Sequence, residues 1–198
     1  MNQLLNSTYG NPELPASFGG VTSLTRALKG KVKKNDIKKW LEMKDSYTLH
    51  KPARYNFSRN RVIVGGLNEQ FQADLVDMQS LSELNDGYKY LLTCIDVFSK
   101  YAWAIPLKDK TGLSVLNALK EIFKERTPEK LQTDDGTEFR NSRVQTYLKA
   151  HKIHFFTTHN ATKASIVERL NRFLKSKMWK YFTEYNTRKY IDVIHKLL

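Results

Sequence analysis

Three carboxylates differ from the other acids in their local setting. Asp74 lies inside the otherwise apolar run Phe71-Gln-Ala-Asp-Leu-Val, where an ionised group is costly to bury unless it is paired or binds a cation. Asp134 follows the short run Leu131-Gln-Thr and opens the turn Asp134-Asp-Gly, which puts it at the carboxyl edge of a strand, where open α/β sheets place their sites. Glu168 sits on the first turns of a helical pattern, between the apolar stripe Ile166, Val167, Leu170, Phe173, Leu174 and a basic face. Singly, each has an ordinary explanation: an Asp in a turn is usually structural, and a Glu near a helix start serves the dipole. Together they could supply the all-oxygen shell that Mg²⁺ or Mn²⁺ prefers. Two such ions, about 3.5–4 Å apart, activate an attacking oxygen and stabilise a leaving one in phosphoryl transfer. Asp96, Asp135 and Glu138 compete for these places, while strand alternation points Asp77 to the face opposite Asp74.

The elements that must carry these groups follow from periodicity. After Gly65-Gly66, strands are expected at 71–78, 88–97 and 101–107, the last two joined by the tight turn Phe98-Ser99-Lys100. An amphipathic helix over 111–124 follows, then a strand at 131–133, a helix at 142–150, a strand at 153–156 and a long helix over 163–182. This order predicts an α/β domain with one mixed sheet and flanking helices. Upstream, residues 1–20 read as an irregular lead-in, because Gly10, Pro12, Pro15, Gly19 and Gly20 interrupt them. Two short helices follow, capped by Thr22 and Asn35 and separated by Gly30. They fit a helix-turn-helix or a plain helical hairpin equally well. Residues 45–61 read as a basic linker, so the expected division is a small helical N-terminal segment at 1–61 and a catalytic core at 62–198.

The 198 residues carry a net charge of +13, unevenly spread. Residues 26–61 hold a net +9 and residues 163–198 a net +6, whereas 62–162 hold twelve basic and thirteen acidic side chains. A nearly neutral, acid-bearing middle between two basic flanks is the asymmetry expected of a nucleic-acid binder. Carboxylates alone would repel a phosphodiester, and bound divalent ions invert that local sign. The single cysteine, Cys94, excludes a disulfide framework and a Cys-based zinc finger and reads as a small buried hydrophobe. His151, His154 and His159 lack the partners a metal site needs. With no membrane-length apolar run and no signal peptide, a soluble intracellular protein that is not secreted is expected.

Four motifs now carry a resemblance: Phe71-Gln-Ala-Asp-Leu-Val, Tyr90-Leu-Leu-Thr-Cys-Ile-Asp-Val-Phe-Ser-Lys-Tyr, Thr133-Asp-Asp-Gly-Thr-Glu-Phe and Lys163-Ala-Ser-Ile-Val-Glu-Arg-Leu-Asn-Arg. In this order the set resembles the catalytic core of retroviral-type integrases. The strings Ser17-Phe-Gly-Gly-Val and Tyr47-Thr-Leu-His-Lys-Pro make it most similar to the integrases of Polinton/Maverick transposons. The resemblance implies a ribonuclease-H-like fold and an acidic triad at Asp74, Asp134 and Glu168, with two Mg²⁺ or Mn²⁺ ions per site. It implies DNA 3′-end processing followed by strand transfer into target DNA, by a homo-oligomer acting in the nucleus on chromosomal DNA. Asn171, Arg172 and Lys175 match helix positions that contact the DNA end, and Lys163, Lys34 and Lys38 are weaker DNA-binding candidates.

The sequence also departs from the family. The 33 residues between Asp134 and Glu168 are slightly fewer than the retroviral spacing, and Phe71 stands where a Trp is common. The chain has no Cys for a zinc module and is expected to lack a C-terminal domain, which would leave the apolar residues of Tyr190–Leu198 exposed. The reading is therefore an active metal-dependent integrase. The alternatives are an inactive, truncated or domesticated DNA-binding remnant and a ribonuclease-H-type nuclease.

Overall fold

The strand Gln70–Asp77 (β1) divides its side chains between two environments in the computed structural model, which describes residues 1–51, 62–157 and 164–198. Before it come four helices, α1 (Asn2–Gly10), α2 (Val21–Ala27), α3 (Lys34–Glu42) and α4 (Asp45–Thr48). After it come β2 (Tyr90–Asp96), β3 (Ala102–Leu107), α5 (Gly112–Glu125), β4 (Lys130–Thr133), α6 (Ser142–Ala150), β5 (His154–Thr157) and α7 (Ser165–Tyr185). The strands form one mixed sheet in the order β3-β2-β1-β4-β5. The pairs β1–β2 and β2–β3 are antiparallel, and β1–β4 and β4–β5 are parallel. The parallel pairs need crossover connections, and α5 and α6 lie between the strands concerned.

Alternation explains the two faces. Phe71, Ala73 and Leu75 of β1, Leu92 and Cys94 of β2 and Leu131 of β4 pack into one apolar cluster. Val115, Leu119, Ile122 and Phe123 of α5 and Val144 and Leu148 of α6 complete that cluster. Each side chain of this size stabilises the fold by about 1.5–3 kcal/mol when fully buried. Intervening residues Gln72, Asp74, Thr93 and Gln132 face the other way, so polar chemistry collects on one side of the sheet. There Ile95 packs with Ala164 and Val167, with Ile166 and Leu170 beside them, which seats the first turns of α7.

That seating is also polar. The Gln72 side-chain oxygen accepts from the backbone N–H of both Ile166 and Val167, at 3.0 Å each. These are among the N–H groups that a helix start cannot pair within itself. At α5 the cap is local, the Thr111 hydroxyl oxygen accepting from Ser114 N–H at 3.3 Å.

The chain divides into two compact units. One unit comprises residues 57–172 with Leu198 and carries the sheet, while the other joins residues 1–56 to 173–197. In the second unit Leu5, Tyr9, Phe18, Leu24, Ile37, Leu41, Met178, Tyr190 and Leu197 are buried. Glu184 pairs with Lys44 at 3.1 Å and accepts from the Ser46 hydroxyl at 3.0 Å, and Lys180 donates to the Phe18 carbonyl at 3.0 Å. Tyr9, which takes a hydrogen bond from Ser46, has its phenol pushed up to about 12 by burial.

Several expectations are corrected here. Residues 2–10 are helical, not irregular: Gly10 and Pro12 end α1 rather than prevent it, and Leu5 and Tyr9, four apart, give it a buried side. Thr22 and Asn35 are not caps, because α2 starts at Val21 after an extended Gly20 and α3 at Lys34 after Lys33. The turn at Gly30 does occur, with left-handed backbone at Lys29 and Gly30. Within the expected linker, Asp45–Thr48 form a helical turn, and 52–61 lie outside the described residues. The apolar residues Tyr190, Ile194 and Leu197 are buried rather than exposed. Leu197→Ala should therefore destabilise the chain by about 2–5 kcal/mol in denaturant unfolding, the range for a buried leucine. A change below about 0.5 kcal/mol would show that this residue is not core.

Candidate active site

Asp74 is half-buried on the polar side of β1. Its Oδ2 accepts from Asn171 Nδ2 at 2.6 Å, and its Oδ1 accepts from the backbone N–H of Leu75 at 2.8 Å. Thr93, directly opposite Asp74 in the β1–β2 register, donates its hydroxyl to Asn171 Oδ1 at 2.7 Å. The Asn171 amide is thus held at both ends, its oxygen on Thr93 and its nitrogen on Asp74, which fixes its orientation. A carboxylate with both oxygens engaged has a defined rotamer, the condition for a preorganised ligand.

The other two carboxylates approach from different elements. The β1–β4 register pairs Gln72 with Gln132, so Asp134, just past the end of β4, follows at the same offset as Asp74. Glu168 is exposed in the first turn of α7. Burial raises the Asp74 carboxyl above its ordinary value, and the charges of Asp134 and Glu168 raise it further against the Leu75 and Asn171 hydrogen bonds. Asp134 is raised as well, chiefly by partial burial and then by Glu138 and Asp135, against the Gly136 N–H. Among the described residues, no group of three His, Cys, Asp or Glu side chains is drawn together tightly enough to hold a metal as it stands. In chemistry the donor set nonetheless fits a hard divalent cation, since it is all carboxylate oxygen and its mutual repulsion is what a cation relieves.

The competing acids have other work. Asp77 accepts from the backbone and side-chain nitrogens of Gln79, both at 2.9 Å. Asp96 is buried and accepts from Phe98 N–H at 3.0 Å and the Ser99 hydroxyl at 2.6 Å, bracing the turn into β3. Asp135 forms an ion pair with Arg140.

The expected DNA contacts fall into three groups. Asn171 is buried and committed to Asp74 and Thr93, so its place is behind the carboxylate rather than on an open surface. Arg172 and Lys175 are exposed on α7, and Lys34 and Lys38 are exposed on α3, where Lys38 lies 3.9 Å from Glu42. Lys163 lies outside the described residues. Of the histidines, His151 pairs with the Tyr147 carbonyl at 2.9 Å, the His154 ring sits 5.9 Å from that of Phe156, and His159 is outside the described residues. Cys94 is wholly buried, which pushes its thiol up. Sequence reasoning missed Gln72 and Thr93. Alternation from Asp74 points to Gln72, but Thr93 emerges only from the cross-strand register.

Comparison with known proteins adds an independent line. Residues 67–162 match the family model described as integrase core domain. Over 116 residues, 58% of this chain, the sequence is 40% identical to an uncharacterised transposon-derived protein of Caenorhabditis elegans, of which it covers 41%. It is 33% identical over 111 residues, 53% of this chain, to the Pol polyprotein of radiation murine leukemia virus, of which it covers 19%. The chain therefore spans less than half the length of these relatives. Among solved structures, the simian T-cell lymphotropic virus intasome in complex with PP2A regulatory subunit B56 gamma aligns over 94% of this chain and 67% of that one, with TM-score 0.61 and 20% identity. The HTLV-2 integrase catalytic core domain in complex with magnesium aligns over 66% of this chain and 82% of that one, with TM-score 0.53 and 23% identity. These structural likenesses show the fold, a ribonuclease-H-like mixed sheet with flanking helices behind a helical N-terminal segment. The sequence matches support an integrase core domain of the retroviral and transposon type over residues 67–162.

Proposed function

We propose that this chain is an integrase-type polynucleotidyl transferase of the DDE group, with Asp74, Asp134 and Glu168 as its catalytic, cation-holding carboxylates. The observation that carries the reading is that Asp74, tied to α7 through Asn171, feels the charges of both Asp134 and Glu168, the three groups coming from a strand, a strand end and a helix. Divalent ions bound there, Mg²⁺ or Mn²⁺ and two per site, would supply Lewis-acid charge at the entering and leaving oxygens of a phosphodiester. Asn171 and Leu75 N–H hold the two oxygens of Asp74, so that carboxylate need not reorganise when a cation arrives. Arg172 and Lys175, with Lys163, Lys34 and Lys38 as further candidates, take phosphate oxygens, giving affinity that falls steeply with salt and carries little sequence information.

The reaction has two in-line displacements. Water cuts near a 3′ end of the element's DNA, and the freed 3′-hydroxyl then attacks target DNA. The Ser17 and Tyr47 strings favour the Polinton/Maverick group. By family analogy the chain works as a homo-oligomer in the nucleus. No helix among the described residues is long and apolar enough to cross a membrane.

Glu168→Gln should lower Mn²⁺-dependent cleavage and joining of a labelled terminal-repeat duplex by about 10²–10⁴-fold, the scale of a lost cation contact in the transition state. DNA binding without metal should change by less than about threefold, because phosphate contacts supply it. Equal loss of both in a folded variant would contradict the assignment.

The raised carboxyls give a second expectation. A carboxyl whose folded-state pKa lies above its ordinary value of 3.8 favours folding when protonated. That contribution is complete below the ordinary value and is lost as the pH rises through the raised one. Metal-free Asp134→Asn should therefore melt a few degrees above the wild type at pH 7, and the gain should vanish towards pH 3. Mn²⁺ should raise the wild-type midpoint more than the variant's. A variant that melts lower at pH 7 and responds fully to Mn²⁺ would remove Asp134 from the site.

A further inference from the structure

Gln72 is fully buried two residues before Asp74 on the same face of β1. A carboxamide has one oxygen with two lone pairs and two N–H donors, and leaving them unpaired in the interior costs about 1–3 kcal/mol. Here the oxygen takes Ile166 N–H and Val167 N–H, both at 3.0 Å, and the nitrogen donates to Gln132 Oε1 at 2.9 Å. Gln132 Oε1 also accepts from Gln70 Nε2 at 2.7 Å, so it requires donors, and Gln72 must turn its nitrogen to β4 and its oxygen to α7. The orientation of the amide is dictated rather than chosen. Its acceptor meets the helix start, where unpaired N–H groups carry partial positive charge.

Glu168 is the next residue after this tie, and its own N–H already belongs to the helix, donating to Ala164 O at 3.1 Å. One turn on, Asn171 is tied to Asp74. The two ties match in length: two residues of strand advance about 6.6 Å, and four residues of helix, Val167 to Asn171, advance about 6 Å. Both can therefore form at once without bending α7, and together they bracket Glu168 against the β1 face that carries Asp74.

We infer that Gln72 is a positioning residue for Glu168, clamping the first turn of α7 to β1 and so setting the height of that carboxylate beside Asp74. The inference rests on the reading of Asp74, Asp134 and Glu168 as the cation-holding carboxylates. A neutral amide suits the place, because a buried carboxylate there would add a fourth negative charge to those of Asp74, Asp134 and Glu168. Loss of the clamp leaves Glu168 in sequence but no longer fixed in space.

The test uses the full chain, Mn²⁺ as the probe read by electron paramagnetic resonance, and amide hydrogen exchange. In Gln72→Met, Ile166 and Val167 amides should exchange at least about tenfold faster while the β1–β2 ladder keeps its protection. Mn²⁺ affinity should fall about 10–100-fold, the usual effect of removing a support behind a ligand. Because Gln72 acts through Glu168, the Gln72→Met/Glu168→Gln double variant should bind Mn²⁺ no more weakly than Glu168→Gln alone. Additive losses, or unchanged Mn²⁺ affinity with the two amides exposed, would overturn the positioning role. If Gln72→Met fails to fold, Gln72→Asn withdraws the oxygen by one methylene, keeps the amide and is judged by the same readings. A wild type that binds no Mn²⁺ would instead overturn the underlying assignment of the carboxylates, a result distinct from wild-type binding that Gln72→Met leaves intact.

Discussion

The site depends on the parity of β1. Residues 71, 73 and 75 must enter the apolar cluster, and that requirement alone turns Gln72 and Asp74 to the opposite face. A slip of one residue would bury Asp74 in hydrocarbon and present Phe71 and Ala73 to α7, so the burial of Phe71 enforces the register of the chemistry. From that register the rest follows. Thr93 falls opposite Asp74, Gln132 falls beside Gln72, and Asp134 leaves β4 in step with Asp74. The first turns of α7 then settle on the polar face through Gln72 and Asn171.

Gathering carboxylates in this way opposes folding. Asp74 and Asp134 are both harder to ionise than ordinary carboxyls, because burial and like charges act on them together. A group kept for stability would be paired with a cation instead, as Glu184 is with Lys44. Among the described residues, the hydrogen-bond partners of Asp74 are the neutral Asn171 and the Leu75 amide, which orient it without neutralising it. That is the arrangement expected of a carboxylate held ready for an external cation. On the proposed function, the net positive charge of the flanks would attract a polyanion at long range.

Much of this is legible in the sequence because β1, β2, α5 and α6 obey their periodicities closely; Ser142–Ala150, for example, is helical over the expected span. Asp74 and Asp134 stand out because an acid in an apolar run and an acid at a strand end are both visible without a fold. Tertiary context supplies the remainder. Asn171 shares the spacing of a DNA-facing residue, and only the placement of β1 against α7 shows that its amide is buried on Asp74. Thr93 carries no signal until strands are paired. The helix at Asn2–Gly10 is obscured by its closing glycine and the prolines that follow, and its two buried apolar side chains, Leu5 and Tyr9, are too few to announce a period. Tyr190, Ile194 and Leu197 suggest an exposed apolar tail until residues 173–197 are seen to belong with the N-terminal helices.

The most direct test of the central claim is a crystal structure of the full chain soaked in Mn²⁺, with anomalous differences measured at the manganese edge. Anomalous density is expected at the carboxylates of Asp74 and Asp134, with Glu168 turned towards it and the Asn171–Asp74 hydrogen bond retained. Manganese bound elsewhere, or none at these carboxylates in crystals that diffract well enough to show it, would contradict the assignment.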